Sequence, residues 1–148
     1  MIEVLLLGGT GAMGTFLVDI LAKSKINCVV TSRSKKNSYN YVTYICGNAK
    51  DDTFLFPLLE SRHWSSIIDF MSYSTDEFAN RFQKLLKCTD QYVYLSSSRV
   101  YANSETPLKE SSPRLLDSCS DKEYLSTDEY ALSKARQENL LLSCCLKN

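Results

Sequence analysis

Apolar and polar positions alternate along the chain in two rhythms. Near the amino terminus "IEVLLLGG" is an unbroken apolar run stopped by glycine, which predicts a buried strand over residues 2–7. From Ala12 to Lys23 apolar residues return at helical spacing, at Met13, Phe16, Leu17, Ile20 and Leu21, and predict a helix. "NCVVTSR" and "YVTYICG" are a second and a third strand, with a polar loop between them. "DDTFLFPLLESR" opens on two acids and fits a helix start, with Pro57 as a bend or a break. "SSIIDFM" predicts a fourth buried strand. "STDEFANRFQKLLKC" predicts one amphipathic helix, with Ser74 and Glu77 as a capping box. "QYVYLSSS" is a fifth strand, followed by a polar loop over roughly 102–125 that holds Pro107 and Pro113. The last helix is expected from about 127 to the end, with Ser126 and Glu129 as a second capping box. The two "STDE" strings read as one local cap used twice, because their flanks differ.

Strands that alternate with helices argue for α/β architecture, a parallel sheet with helices on both faces. Right-handed crossovers then give a doubly wound sheet of order 3-2-1-4-5, here as a single domain over 1–148. In such a sheet ligands bind at the carboxyl ends of the strands, where the order reverses between strands 1 and 4.

Composition narrows the partners. The chain is 44% hydrophobic and 23% charged, which suits a globular protein with a real core. Lys and Arg balance Asp and Glu at 17 each, and "TSRSKK" is the only basic cluster, so no nucleic-acid partner is expected. No apolar run reaches the ~18 residues of a membrane helix. An acid at position 3 and no basic start do not fit a secretory leader, so a cytoplasmic location is expected. The 6 cysteines form no C-x-x-C pair and His63 is the sole histidine, so no metal site is expected. Cys28, Cys46 and Cys144 fall in apolar stretches and read as small core residues. His63, beside Trp64, has no partner motif and reads as non-catalytic.

Candidate chemistry begins where the first strand ends. "GGTGAMG" (8–14) comprises Gly8, Thr10, Gly11, Ala12, Met13 and Gly14, with glycines at 8, 11 and 14. Glycine permits a tight turn and removes the side chain that would block a close-approaching pyrophosphate. The helix that follows offers free amides and the positive end of its dipole to that pyrophosphate. NAD binding usually places an acid at the end of the second strand. This chain has Thr31, Ser32, Arg33, Ser34 and Lys35 there. Arg33 with Ser32 could bind a 2′-phosphate, which favours NADP(H) and leaves NAD(H) possible; a solvated basic loop is the alternative. Further on, Tyr130 and Lys134 in "DEYALSK" stand about one helical turn apart and project from one face.

Four strings in order, "GGTGAMG", "GNAKDD" at 47–52, "SSSRVY" at 96–101 and "YALSK" at 130–134, resemble the extended short-chain dehydrogenase/reductase superfamily. The branch they resemble is that of the NAD(P)-dependent sugar-nucleotide epimerases and dehydratases. The resemblance implies an active serine three positions before the valine of "VY", Ser97, with Ser98 as runner-up. It implies a catalytic unit of Ser97, Tyr130 and Lys134, of which Tyr130 and Lys134 also touch the cofactor. Asn48 and Ala49 would lie beside the adenine, and Phe70, Met71 and Ser72 beside the nicotinamide half. The physics is independent of the name. A free tyrosine ionises near pH ~10, and a neighbouring cation favours its phenolate form. A serine hydroxyl can hold the substrate oxygen while hydride moves.

The resemblance also implies a longer protein, in which further strands and helices supply most of the sugar-nucleotide site. The chain is therefore read as a Rossmann part lacking most of the substrate domain, whether as a piece, a truncated product or a natural short form. The expected activity is epimerase, dehydratase or reductase chemistry on a nucleotide sugar or related carbonyl or alcohol. Little or no turnover is expected of these 148 residues alone. The alternative is a non-catalytic dinucleotide-binding module. A homodimer is expected, through the helices at 74–88 and 127–145 and the apolar surface near Leu140–Leu146.

Overall fold

The structure, a computed structural model, describes residues 2–144. In chain order the elements are β1 (Glu3–Leu7), α1 (Ala12–Lys23), β2 (Asn27–Ser32), β3 (Val42–Cys46) and α2 (Asp52–Glu60). There follow β4 (Ser66–Asp69), α3 (Thr75–Ala79), α4 (Phe82–Lys87) and β5 (Tyr92–Tyr94). A 3₁₀ turn (Ser98–Val100) leads to α5 (Leu115–Ser118), α6 (Lys122–Ser126) and α7 (Tyr130–Ser143). The chain divides into two compact units. The first holds the chain up to Ser72 together with Gln83–Leu95; the second holds Tyr73–Phe82 and the chain from Ser96 onward.

The first unit carries a five-stranded parallel sheet of order β3-β2-β1-β4-β5, as the alternation of strands and helices predicts. β1 lies at its centre, with Leu5 opposite Val29 on one side and Ile67 on the other. Successive strand side chains point to opposite faces, so β1 feeds two cores at once. Leu5 and Leu7 join Val29, Ile67 and Trp64 beneath Leu55, Leu58 and Leu59 of α2. Val4 and Leu6 join Cys28, Val30 and Val42 beneath Val18 and Leu21 of α1. Leu5 and Leu59 are wholly buried, and cutting either to alanine costs about 2–5 kcal/mol. α2 runs through Pro57 to Glu60, and its first turn is capped by Asp51, which accepts from the Thr53 N–H.

Several sequence expectations change. The apolar stripe of α1 splits: Val18 and Leu21 face the sheet, whereas Met13, Phe16 and Ile20 point outward at 62%, 74% and 59% exposure. The stripe is wider than the strip of sheet that α1 covers. Cys28 is buried as expected, but Cys46 is exposed because it ends the edge strand β3; Cys144 is half-buried. The single helix expected over 74–88 is two, α3 and α4. At the junction the Arg81 N–H bonds back to Phe78, three residues away, instead of four. Arg81 is itself buried, with its guanidinium 4.8 Å from the Tyr73 ring centroid. β5 is confined to Tyr92–Tyr94, and the loop expected over 102–125 contains α5 and most of α6.

In the second unit α7 lies against α3 and α5. Buried Gln137 and Ser133 of α7 both donate to the Tyr73 carbonyl, at 2.8 and 3.2 Å. The Tyr73, Phe78 and Phe82 rings pack in sequence, with centroids 5.9 and 5.8 Å apart. Among the described residues no helix is long and apolar enough to cross a membrane.

Candidate active site

The glycines of the loop after β1 serve different ends. Gly8 has φ +69°, a conformation that side chains resist, and its N–H donates to the Thr31 hydroxyl at 3.0 Å. A Cβ on Gly14 would sit 2.4 Å from the Gly9 carbonyl oxygen, so α1 packs on the turn only because residue 14 lacks a side chain. A Cβ on Gly11 would meet nothing nearer than the Gly8 oxygen at 3.8 Å. Among the described residues no close contact requires glycine at 11, and the space it leaves open stands at the start of α1. That helix has Gly11 as its N-cap, no side-chain cap and no acid in its first turn. The amides of Ala12, Met13 and Gly14 are thus left for an anion, which is what a pyrophosphate needs. The residues present fit a dinucleotide.

The neighbouring strand ends belong to the same unit. Ser32 is buried and its hydroxyl accepts from the Ser34 N–H at 3.3 Å, while Arg33 is exposed. After β3, Asn48 is exposed and accepts from the Lys50 N–H, whereas Ala49 is packed into the core beneath α2. After β4, Phe70 and Met71 are half-buried and Ser72 is exposed. Asp69, 1% exposed, fixes this segment: one oxygen accepts from the Met71 N–H at 2.9 Å, the other from the Tyr92 hydroxyl at 2.8 Å. An acid inside the apolar run "SSIIDFM" was the signal for such an anchor.

The other expected group is assembled within the second unit. Tyr130 is the first residue of α7 and is exposed, while Lys134, one turn on, is 3% exposed. The Lys134 ammonium lies 5.9 Å from the Tyr130 ring centroid. Ser97 caps the 3₁₀ turn, its hydroxyl accepting from the Arg99 N–H at 3.2 Å, and this turn packs against α7. The second unit therefore holds all of Ser97, Tyr130 and Lys134.

Residues to which the sequence assigned no catalytic or binding role, Glu129, Tyr124 and Arg99, complete this region. Glu129 is the N-cap of α7, and one of its carboxylate oxygens accepts from the Ala131 N–H at 2.8 Å and the Tyr124 hydroxyl at 2.9 Å. The other accepts from Arg99 at 2.8 Å. The Ala131 hydrogen bond, then the Tyr124 hydroxyl and the Arg99 charge, hold Glu129 below the usual carboxylate range. Burial and the bond to Glu129 push the Tyr124 phenol up. The capping box expected at Ser126 and Glu129 is not formed: Ser126 closes α6, donating to the Glu123 carbonyl. Arg99 lies over the Tyr130 ring, its guanidinium 5.5 Å from the centroid. A pocket of about 400 Å³ opens beside it, with Leu108, Leu115 and Ala131 among its apolar walls and Ser98 and Asn103 among its polar ones. An arginine before the valine of "SSSRVY" was the available signal. His63, expected to be non-catalytic, pairs with Asp90 at 2.7 Å in the first unit.

No protein-family model and no curated protein sequence matches the chain. Solved structures do match. The enzyme WbmH of Bordetella bronchiseptica, in complex with NAD+, is 16% identical with a TM-score of 0.74, over 96% of this chain and 52% of that one. The UDP-Glc/GlcNAc 4-epimerase of Campylobacter jejuni is 18% identical with a TM-score of 0.74, over 96% and 48%. The dTDP-glucose 4,6-dehydratase of Bacillus anthracis, in complex with NAD, is 16% identical with a TM-score of 0.66, over 97% and 50%. The chain spans about half the length of these structures. It has the Rossmann-like fold that the resemblance implies, the one shared by sugar-nucleotide epimerase and dehydratase structures.

Proposed function

We propose that this chain is the dinucleotide-binding part of an NAD(P)-dependent epimerase, dehydratase or reductase acting on a nucleotide sugar or a related carbonyl or alcohol. The observation that carries the reading is Tyr130 at the open start of α7 with buried Lys134 one turn behind it. A bound nicotinamide supplies hydride acceptance and donation. The chain's own residues do the rest. The amides at the start of α1 and the open space at Gly11 take the pyrophosphate. Arg33 and Ser32 take a 2′-phosphate, which favours NADP(H) over NAD(H). Asn48 and Ala49 flank the adenine, and Phe70, Met71 and Ser72 flank the nicotinamide half. Ser97 holds the substrate oxygen, Tyr130 gives or takes its proton, and the Lys134 charge stabilises negative charge on a phenolate.

The chain self-associates in this reading through the helices at 74–88, now α3 and α4, and α7, where Leu142 is 82% exposed; Leu146 lies outside the described residues. Positioning of the substrate carbon, worth ~7–11 kcal/mol, comes mostly from a substrate part beyond these elements. The second reading is a module that binds dinucleotide at the start of α1 without turnover. Titration with NADPH and NADH, followed by turnover assays with nucleotide sugars on this chain and on a longer version, tests both. Arg33→Ala is expected to weaken NADPH about 10- to 100-fold and NADH little. Tyr130→Phe is expected to abolish turnover of an active form with cofactor affinity nearly unchanged. Tighter NADH than NADPH in the unmodified protein overturns the cofactor preference, and full activity of Tyr130→Phe overturns the catalytic assignment.

A further inference from the structure

We propose that Asp69 and Tyr92 are positioning residues for the dinucleotide, and that they act through Met71, which braces the glycine loop at Gly8. The inference rests on the dinucleotide reading and adds to it the groups that order the loop before a ligand arrives. Every residue involved lies in the first unit.

The loop after β1 is held from two sides. On the β2 side the Gly8 N–H donates to the Thr31 hydroxyl at 3.0 Å, and that hydroxyl donates on to the Leu6 carbonyl at 3.3 Å. On the β4 side the Phe70 N–H donates to the Leu7 carbonyl at 3.0 Å. One residue on, the Met71 sulfur lies 2.7 Å from the point where a Cβ on Gly8 would stand. The thioether therefore rests on the Gly8 backbone, where φ is +69°. A glycine has no side chain to confine its φ and ψ, so its conformation is easily lost. The Met71 side chain packed against it limits that freedom.

Methionine is unbranched and adaptable, and a brace made of it needs a fixed backbone. Asp69 supplies one: its Oδ1 accepts from the Met71 N–H at 2.9 Å, a turn closed by the side chain two residues earlier. Its Oδ2 accepts from the hydroxyl of Tyr92 on β5 at 2.8 Å. Asp69 is 1% exposed, and burying a carboxyl is costly at a strand position that an apolar residue could fill. Its two bonds run to the segment after β4 and to the neighbouring strand, so its place is accounted for by holding that segment. The contacts form one series, from Tyr92 through Asp69 and Met71 to Gly8. A loop ordered in advance loses less entropy when it binds.

The test compares NADPH and NADH with adenosine and its 2′-phosphate, which have no pyrophosphate. Asp69→Ala is expected to weaken the tighter-binding dinucleotide about tenfold or more, and the adenosine ligands less than about twofold. Asp69→Asn, which keeps an acceptor for the Met71 N–H, should retain most of the affinity, and Tyr92→Phe should fall between the two. Because Asp69 acts through Met71, Asp69→Ala combined with Met71→Ala should bind dinucleotide no more weakly than Met71→Ala alone. In the ligand-free protein, hydrogen exchange followed by nuclear magnetic resonance should be about tenfold or more faster at the Gly8 amide of Asp69→Ala, and unchanged at buried Val30. Unchanged dinucleotide binding in Asp69→Ala, unchanged Gly8 exchange, or additive losses in the double variant overturns the proposal. So does an equal loss for the adenosine ligands, which would make Asp69 a general support of the fold. If Asp69→Ala does not fold, as judged by circular dichroism, Met71→Ala decides by the same two readouts, and unchanged values overturn the proposal. Failure of both dinucleotides to bind the folded, unmodified protein overturns the dinucleotide reading instead, and exchange at Gly8 still judges the brace.

Discussion

The tetrapeptide Ser-Thr-Asp-Glu occurs twice, at 74–77 and 126–129, and the two copies fold differently. In the first, the Ser74 hydroxyl accepts from the Glu77 N–H at 3.1 Å and the Glu77 carboxylate accepts from the Ser74 N–H at 2.8 Å. This is a complete capping box, and α3 begins inside the string. In the second, Ser126 and Thr127 finish α6, Glu129 caps α7 alone, and Asp128 reaches back to the first copy. It accepts from both the N–H and the hydroxyl of Thr75. One copy organises its own helix, while the other spends its side chains on three separate elements. The difference comes from what precedes each string. Before Ser74 the chain is extended, with φ −69° and ψ 167° at Ser74 itself, whereas before Ser126 it is already helical, in α6. A cap needs a non-helical residue at its head.

Replacing matched positions should sharpen that contrast, and the aspartates should differ most. Asp128→Ala leaves the Thr75 N–H and the Arg136 charge without a partner they now have, and should cost about 1–3 kcal/mol in a urea melt. Asp76→Ala, on the exposed side of α3, should stay within about 0.5 kcal/mol. Comparable losses at 76 and 128 would break the comparison. The serines should differ in the opposite sense and by less. Ser74→Ala removes a cap at about 1 kcal/mol, whereas Ser126→Ala, which removes one bond to the Glu123 carbonyl at the end of α6, should be near neutral.

The smallest effect is one of pH. At Asp128 burial raises the carboxyl, but the bonds from Thr75 and the Arg136 charge outweigh it and leave the group below its ordinary range. A carboxyl depressed in the folded state stabilises above its unfolded value, near pH ~4, and loses that contribution as pH falls through the folded one. Asp128→Asn should therefore be less stable than the unmodified protein at neutral pH, with the gap closing on acidification below pH ~4. A gap that is constant with pH would show that the charge does nothing.

The same contrast explains which parts of the molecule were legible in the sequence. The strands of the sheet and the glycine turn are written locally: apolar runs stopped by glycine, and helical spacing directly after. β1, α1, β2 and β3 fall within a residue or so of expectation for that reason. Tyr130 and Lys134 were legible as a pair because helical spacing is also local. What could not be read depends on distant partners. The break between α3 and α4 goes with burial of Arg81 against Tyr73, and the short helices α5 and α6 lie in a polar stretch without periodicity. The ion pair of Arg99 and Glu129 forms only because residues 30 apart in sequence meet. Exposure of Met13, Phe16 and Ile20 is likewise invisible to a pattern that counts apolar residues without knowing how much sheet is there to cover them.

The central position of β1 has a consequence for how the molecule is made on the ribosome. Its first neighbour, β2, is synthesised by Ser32, and β3 joins by Cys46, so one half of the sheet can assemble early. The other side of β1 waits for β4, whose Asp69 lies opposite Leu7, 62 residues later in the chain. Until then the apolar run Val4 to Leu7 presents one edge with no strand partner, and late, non-local closure of this kind is slow. The nascent chain thus carries an aggregation-prone edge for the time it takes to translate two helices and two strands, and slower synthesis after Cys46 lengthens that exposure.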